Sequence, residues 1–302
     1  MPARRVDVDT GYATGFTGVE FSLSLTTGTD DGRRDMRDIP PATARIADIY
    51  FVVELDAGRG IGRAIAERFA AGGAAVGLVA RSRDEVDHAA AGITDRGGNA
   101  LAVVANVPDH GQVPEAAGQV SSALGPIDVL VNDAGIDDPM AFVDSSLDRW
   151  DQTIRVNLYG AIQSLPPGRS RHGHWPSWGQ HHQCPCGPRL PGRTLIVPLR
   201  RREGRPRPVD PGSGGRACPH GIRVNGVAPG FVDTRMAIGR GGVNELDTPW
   251  FRAAYIERRK IPLARAAAPD EIAGPVLFFA SRDANNVTEE ILVVDGRLSV
   301  RF

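Results

Sequence analysis

An α/β fold built on one doubly wound parallel sheet is what this sequence predicts, and three observations predict it. Short apolar, β-branched runs alternate with stretches whose apolar residues recur every three to four positions. The first run leads at once into a glycine-rich turn and a helix, through Asp56–Gly62 (DAGRGIG). The alternation breaks after Gln163 and returns near Gly221, so the same pattern stands on both sides of one disrupted segment. Strands that alternate with helices imply right-handed crossovers, parallel pairing, and helices on both faces of the sheet.

Residues 1–46 are rich in Gly, Thr, Asp and Arg with weak periodicity and read as a flexible leader, with Met36 as an alternative start. A single domain is expected over 47–302. Asp48–Leu55 (DIYFVVEL) is short, apolar and β-branched, hence a buried strand. Arg63–Ala71 follows as a helix, because Ile61, Ile65 and Phe69 stand four apart on one face, and Gly72-Gly73 ends it. Ala74–Ala80 reads as a strand, Ser82–Asp95 as a helix, Ala100–Val107 as a strand and Gly111–Leu124 as a helix. Ile127–Val131 is the next strand, ending in Asn132-Asp133-Ala134-Gly135, and Leu147–Gln163 is a helix that carries Asn157. Pro166-Pro167 stops that helix, since proline lacks the N–H and clashes with the preceding turn. Within 163–219 only Thr194–Val197 has a strand pattern. Gly221–Val227, the helix Pro269–Ser281 and the strand Ile291–Val294 complete the chain.

The formal charge of −1 over 302 residues gives no general attraction to nucleic acid or to an anionic membrane. That sum hides an asymmetry. The 57 residues from Gln163 to Pro219 hold ten arginines against Glu203 and Asp210, with 11 of the 23 prolines, four of the seven histidines, and Cys184, Cys186 and Cys218. Three clustered cysteines in a chain this long make no disulfide framework. There is no apolar run behind Arg4 and Arg5, and no stretch approaches the roughly 20 apolar residues of a membrane span. A soluble, cytoplasmic protein is expected. Of the 35 basic residues, only Lys260 is lysine.

The strand, glycine turn and helix at the start form a phosphate site by physics. Glycine lets the backbone approach an anion, and the helix N-terminus aims free N–H groups and partial positive charge at it. Further motifs follow in order: Asn132-Asp133-Ala134-Gly135, Val156-Asn157-Leu158, Ile222-Arg223-Val224-Asn225, Ala228-Pro229-Gly230-Phe231-Val232-Asp233-Thr234 and Val294-Asp295-Gly296. With Gly58-Arg59-Gly60-Ile61-Gly62 they resemble the short-chain dehydrogenase/reductase family, most closely its 3-oxoacyl-acyl-carrier-protein reductase-like members, over roughly 47–162 and 217–300.

The resemblance implies a Rossmann-type sheet and an oxidoreductase that interconverts a carbonyl and a secondary alcohol. It implies that Gly58, Arg59, Gly60, Ile61 and Gly62 wrap the cofactor phosphates and that Asn106 and Val107 stand beside the adenine. Asn132, Ala134 and Gly135 would line the adenosine ribose, and Pro229, Gly230 and Thr234 would meet the nicotinamide. Asn157 matches the helix asparagine that holds a water in the family's proton relay. Arg81 at the end of the second strand, with Arg59 in the turn, points to NADP(H) over NAD(H), because a 2′-phosphate calls for arginine where free ribose hydroxyls call for an acid. Family members are commonly homo-oligomeric, with the Asn157 helix at an interface, and their partner is a small carbonyl or alcohol substrate. Arg235–Ile261 resembles the family's variable substrate loop.

Three departures stand out. The family's turn usually begins Thr-Gly, where this chain has Leu55-Asp56, and Glu289 replaces the glycine of a Thr-Gly-Glu. The reaction also needs a serine after the fifth strand and a Tyr-x-x-x-Lys on the next helix. No tyrosine here has lysine four residues on: Tyr159 is followed by Gln163 and Tyr255 by Arg259. Degenerate back-translation offers a mechanical cause. Read one base later, Gly179–Cys186 allows a strand such as GSIINV, and Leu199–Gly204 allows Tyr-Ala-Ala-Ala-Lys, with Tyr over Leu199 and Lys over Glu203. The tract 163–219 therefore reads as a frame-shifted translation of the catalytic strand and helix. The alternatives are a non-catalytic nucleotide-binding relic and a nucleic-acid binder using Arg200, Arg201, Arg202, Arg205 and Arg207. A metal site at His181, His182, Cys184 and Cys186 lacks the second spaced pair of common zinc modules.

Overall fold

The computed structural model describes residues 51–55, 57–109, 111–125, 127–137, 146–160, 194–198, 223–239 and 241–299. The leader 1–46 and the rest of 163–219 lie outside them, and so do the histidine, cysteine and arginine clusters of that tract. Seven strands form one sheet: β1 (Phe51–Leu55), β2 (Ala75–Ala80), β3 (Asn99–Val104), β4 (Val129–Asn132), β5 (Thr194–Pro198), β6 (Asn225–Pro229) and β7 (Ile291–Val294). Their order is β3-β2-β1-β4-β5-β6-β7. The helices are α1 (Gly60–Ala71), α2 (Arg83–Asp95), α3 (Gln112–Leu124), α4 (Leu147–Ile154) and α5 (Pro269–Ala280).

Both sheet faces are covered, and the two-residue period of the strands shows how. In β2, Val76, Leu78 and Ala80 enter one core with Ile65 and Phe69 of α1, Val86 and Ile93 of α2, and Ile272 and Val276 of α5. Val79, between them, enters a second core with Val113, Ala116 and Val120 of α3. In β4, Val129 and Val131 face the first core and Leu130 the second. Strands buried on both faces read as continuous apolar runs, as these do. Gly77 is small for a reason: a Cβ there would stand 2.6 Å from the Val120 methyl groups.

The expected parallel sheet holds except at one place. β1, β2, β3 and β4 pair parallel, as do β6 and β7, but β5 runs antiparallel to both β4 and β6. Strands on either side of a gap leave two rows of unpaired backbone groups, which any extended segment can satisfy. Thr194–Pro198 (TLIVP) is the β-branched, apolar segment that does so here.

Element boundaries differ from expectation in instructive ways. α1 begins three residues earlier than expected, at Gly60, because the glycine turn already winds into the helix. Ser82 is the N-cap of α2, its hydroxyl accepting from the Glu85 N–H. β6 is Asn225–Pro229 rather than 221–227. Of the helix expected over 147–163, Leu147–Ile154 is α-helical and Arg155–Tyr159 is a π-helical turn, and 161–163 lie outside the described residues. Leu147, Trp150, Ile154, Leu158 and Tyr159 on this stretch are all exposed.

Candidate functional site

The groove opens at the carboxyl ends of β1, β2 and β4, where the strand order reverses on either side of β1. The glycine turn is fixed to β2 by a bond from the Ala57 N–H to the Val79 carbonyl at 3.3 Å. Arg59 is the α1 N-cap, extended and with no side-chain capping bond, so its side chain leaves the first N–H groups of α1 uncapped. Gly60 takes φ +59°, which a Cβ disfavours. Gly62 is buried and Ile61 packs against the first core. Free donors, a positive helix end and bare backbone fit a phosphate group.

Two adjoining concavities continue the groove over β2. Ala80, Arg81, Val107, Ala134, Gly135, Ile136 and Val156 line one, and Arg59, Ala80, Arg81, Ser82 and Glu85 line the other. The predicted adenosine residues Val107, Ala134 and Gly135 are thus brought together with Arg81. Asn106 stands beside them, its amide donating to Asp109 at 2.9 Å and its backbone N–H to Gln112 Oε1 at 2.8 Å. Asn132 is 5% exposed, and among the described residues neither atom of its amide has a hydrogen-bond partner. Its register partner on β1 is Leu55, the position where the resemblance calls for threonine.

The far end of the groove is built from the segment after β6. The Gly230 N–H bonds to the Val294 carbonyl at 3.0 Å, and a Cβ on Gly230 would stand 2.8 Å from Asp295 Cα. Pro229 is buried at the end of β6. Thr234 reaches the glycine turn, with its methyl 3.6 Å from where a Cβ on Gly60 would stand. Phe231 packs edge-on against Phe251 and Tyr255, at 4.9 and 4.8 Å between ring centroids. The sole lysine, Lys260, holds its ammonium 4.6 Å from the centre of the Tyr255 ring, a cation–π contact made with the ring face.

Asn157 lies on the π-helical turn and grips the loop after β4. Its Oδ1 accepts from the Ile136 N–H at 2.8 Å, and its Nδ2 donates to the Ile136 carbonyl at 2.9 Å. Both halves of the amide are therefore engaged with backbone. Next in that loop, Asp137 acts on Glu245: burial first, then the Asp137 charge, holds the Glu245 carboxyl above its ordinary 4.5.

Glu85 was not singled out by the sequence, and the contacts that Arg223 and Asn225 make were not foreseen. Glu85 Oε1 accepts from Arg59 Nη1 at 3.2 Å and from Arg235 Nη1 at 3.3 Å. Its close approach to the turn depends on Gly58, where a Cβ would stand 2.9 Å from Glu85 Cβ. Arg223 donates to the carbonyls of Phe279 (2.7 Å), Val287 (3.3 Å) and Ser281 (3.4 Å), and burial lowers its pKa. Asn225 bonds to the Val287 carbonyl and accepts from the Glu290 N–H. Arg223 and Asn225 thus clamp the end of α5 and the segment that follows it, which sequence spacing alone does not reveal. No group of three potential metal ligands occurs among the described residues, and no described helix is long and apolar enough to cross a membrane.

Sheet order, glycine turn and groove define an α/β protein of the doubly wound class. A profile described as short chain dehydrogenase matches residues 52–165, and one described as enoyl-(acyl carrier protein) reductase matches 215–299. Meso-2,3-butanediol dehydrogenase of Serratia marcescens is 32% identical over 263 residues, covering 82% of this chain and 94% of that protein. The 3-oxoacyl-[acyl-carrier-protein] reductase of Thermotoga maritima is 30% identical, covering 81% and 95%. A short chain dehydrogenase from Burkholderia cenocepacia J2315, solved in complex with NADP, superposes with a TM-score of 0.60 at 24% identity, covering 82% and 96%. A dehydrogenase/reductase from Sinorhizobium meliloti 1021 gives 0.64 at 24%, covering 85% and 98%. The chain belongs to the short-chain dehydrogenase/reductase family of oxidoreductases. The two profile matches stop at 165 and resume at 215, on the borders of the tract that composition sets apart.

Proposed function

We propose that this gene descends from an NADP(H)-dependent reductase that interconverts a carbonyl and a secondary alcohol, and that the chain as written binds the cofactor without catalysing turnover. The observation that carries the cofactor reading is the pair Arg59 and Arg81, which line one cleft beside the adenosine concavity. The NADP bound to the Burkholderia protein supports the same choice. The cofactor, when bound, supplies the hydride. The chain's own residues would hold the phosphates on the α1 N-terminus and the adenosine against Val107, Ala134 and Gly135. Pro229, Gly230 and Thr234 would set the position of the nicotinamide.

What is missing is the proton. No described tyrosine has a lysine beside its hydroxyl, and Lys260 is spent on the Tyr255 ring. Asn157 would belong to the proton relay, but its amide is bound to Ile136. We attribute the loss to a frame shift over 163–219. The antiparallel β5 supports this, since a parallel strand from the restored frame would belong between β4 and β6. The exposed apolar side of α4 is the surface on which a homo-oligomer would assemble. NADPH fluorescence titration together with turnover on a β-keto substrate tests the reading. Binding without turnover is expected, and clear turnover by this chain would contradict it. A relic with no restorable frame predicts the same binding but no open reading frame containing Tyr-x-x-x-Lys.

A further inference from the structure

We infer that Glu85 sets the cofactor preference of this groove, by competing with a 2′-phosphate for the Arg59 guanidinium. This rests on the proposed reading of the groove and adds a residue to it. Glu85 lies in the first turn of α2, with its backbone N–H held by the Ser82 hydroxyl at 3.4 Å, so its side chain is aimed from a fixed point. Its carboxylate lines the cleft with both arginines, and one oxygen carries two cations, Arg59 at 3.2 Å and Arg235 at 3.3 Å. Arg81 has no ion-pair partner among the described residues and is exposed.

The consequence is electrostatic. A 2′-phosphate entering this cleft meets one free guanidinium, one already neutralised, and a carboxylate. To gain Arg59 it must displace Glu85, and it then stands within a few ångströms of a like charge. Free ribose hydroxyls meet no such repulsion, and a carboxylate is an acceptor for them. Glu85 therefore subtracts from the preference that Arg59 and Arg81 create. The packing depends on the bare turn, because the approach of Glu85 to Gly58 leaves no room for a side chain at 58. Arg235 ties the same carboxylate to the segment that follows Thr234, so exchange of Glu85 for phosphate also frees that segment.

The test is a pair of titrations, NADPH and NADH, on the full chain and on Glu85→Gln, which keeps the size and an acceptor oxygen. Glu85→Gln is expected to tighten NADPH about tenfold, equivalent to about 1.4 kcal/mol, while NADH changes by less than about threefold. The gain should disappear in an Arg59→Ala background, because the two residues act on one phosphate. Equal effects on both cofactors, or a gain that survives Arg59→Ala, would overturn the assignment and leave the groove reading intact. Failure of both proteins to bind either cofactor would overturn the groove reading and this inference with it.

Discussion

Replacing Arg223 by methionine tests whether the motif before β6 fastens the domain. The guanidinium serves three carbonyls at 2.7, 3.3 and 3.4 Å, and two of them, Phe279 and Ser281, lie at the end of α5. Carbonyls of a last helical turn have no intrahelical donor, and the helix end carries partial negative charge. One short charge-assisted bond contributes about 1.5–3 kcal/mol, and the two long ones add little. Burial opposes the charge and lowers the Arg223 pKa, which reduces the net gain. A loss of about 2–3 kcal/mol follows for Arg223→Met, with the longer stem still packed. For a chain of this size that is a fall in melting temperature of about 4–12 °C. Arg223→Lys keeps the charge but cannot reach three carbonyls at once, so about half the loss is expected. Thermal unfolding by circular dichroism reads all three proteins. A methionine variant that melts within about 1 °C of the parent would refute the clamp.

Asn157→Leu removes both bonds to Ile136 and is expected to cost about 1–2 kcal/mol; faster amide exchange at Ile136 is the readout, and unchanged protection would contradict the assignment. Glu271 accepts from Arg265 through both oxygens at 2.6 Å and from the Ala268 N–H at 2.8 Å, and the Arg265 hydrogen bond holds its carboxyl below the ordinary 4.5 despite some desolvation. A depressed carboxylate adds stability above its unfolded value and loses it as pH falls through the folded value. Glu271→Gln should therefore cost about 0.5–1 kcal/mol near pH 7 and little below about pH 3. A pH-independent difference in melting temperature would rule out the ionic part.

The fold was legible because its elements are local. Val76, Leu78 and Ala80 alternate with Gly77 and Val79, and Ile61, Ile65 and Phe69 repeat on one helical face, whatever surrounds them. The groove was legible where the chain is bare or charged, at Gly60, Arg59 and Arg81. What sequence could not give were contacts between distant segments. Glu85 touches Arg59 and Arg235 across 26 and 150 residues, and Arg223 reaches carbonyls more than 50 residues away. The direction of β5 was hidden for another reason. Thr194–Val197 has the pattern of a strand, but direction is set by how the chain enters and leaves it. The helical continuation past Ile154 was likewise read as α, since a π turn leaves the apolar spacing nearly unchanged.

Sequencing the coding DNA decides whether the catalytic strand and helix were lost to a shift of reading frame between Gln163 and Pro219, while the cofactor groove around them was kept. An open frame is expected, displaced by one base over this tract, that encodes a serine-bearing strand near 179–186 and Tyr-x-x-x-Lys near 199–203. The restored protein is expected to turn over a β-keto substrate with NADPH. A tract whose displaced frame is closed by stop codons, or carries no Tyr-x-x-x-Lys, would contradict the frame shift.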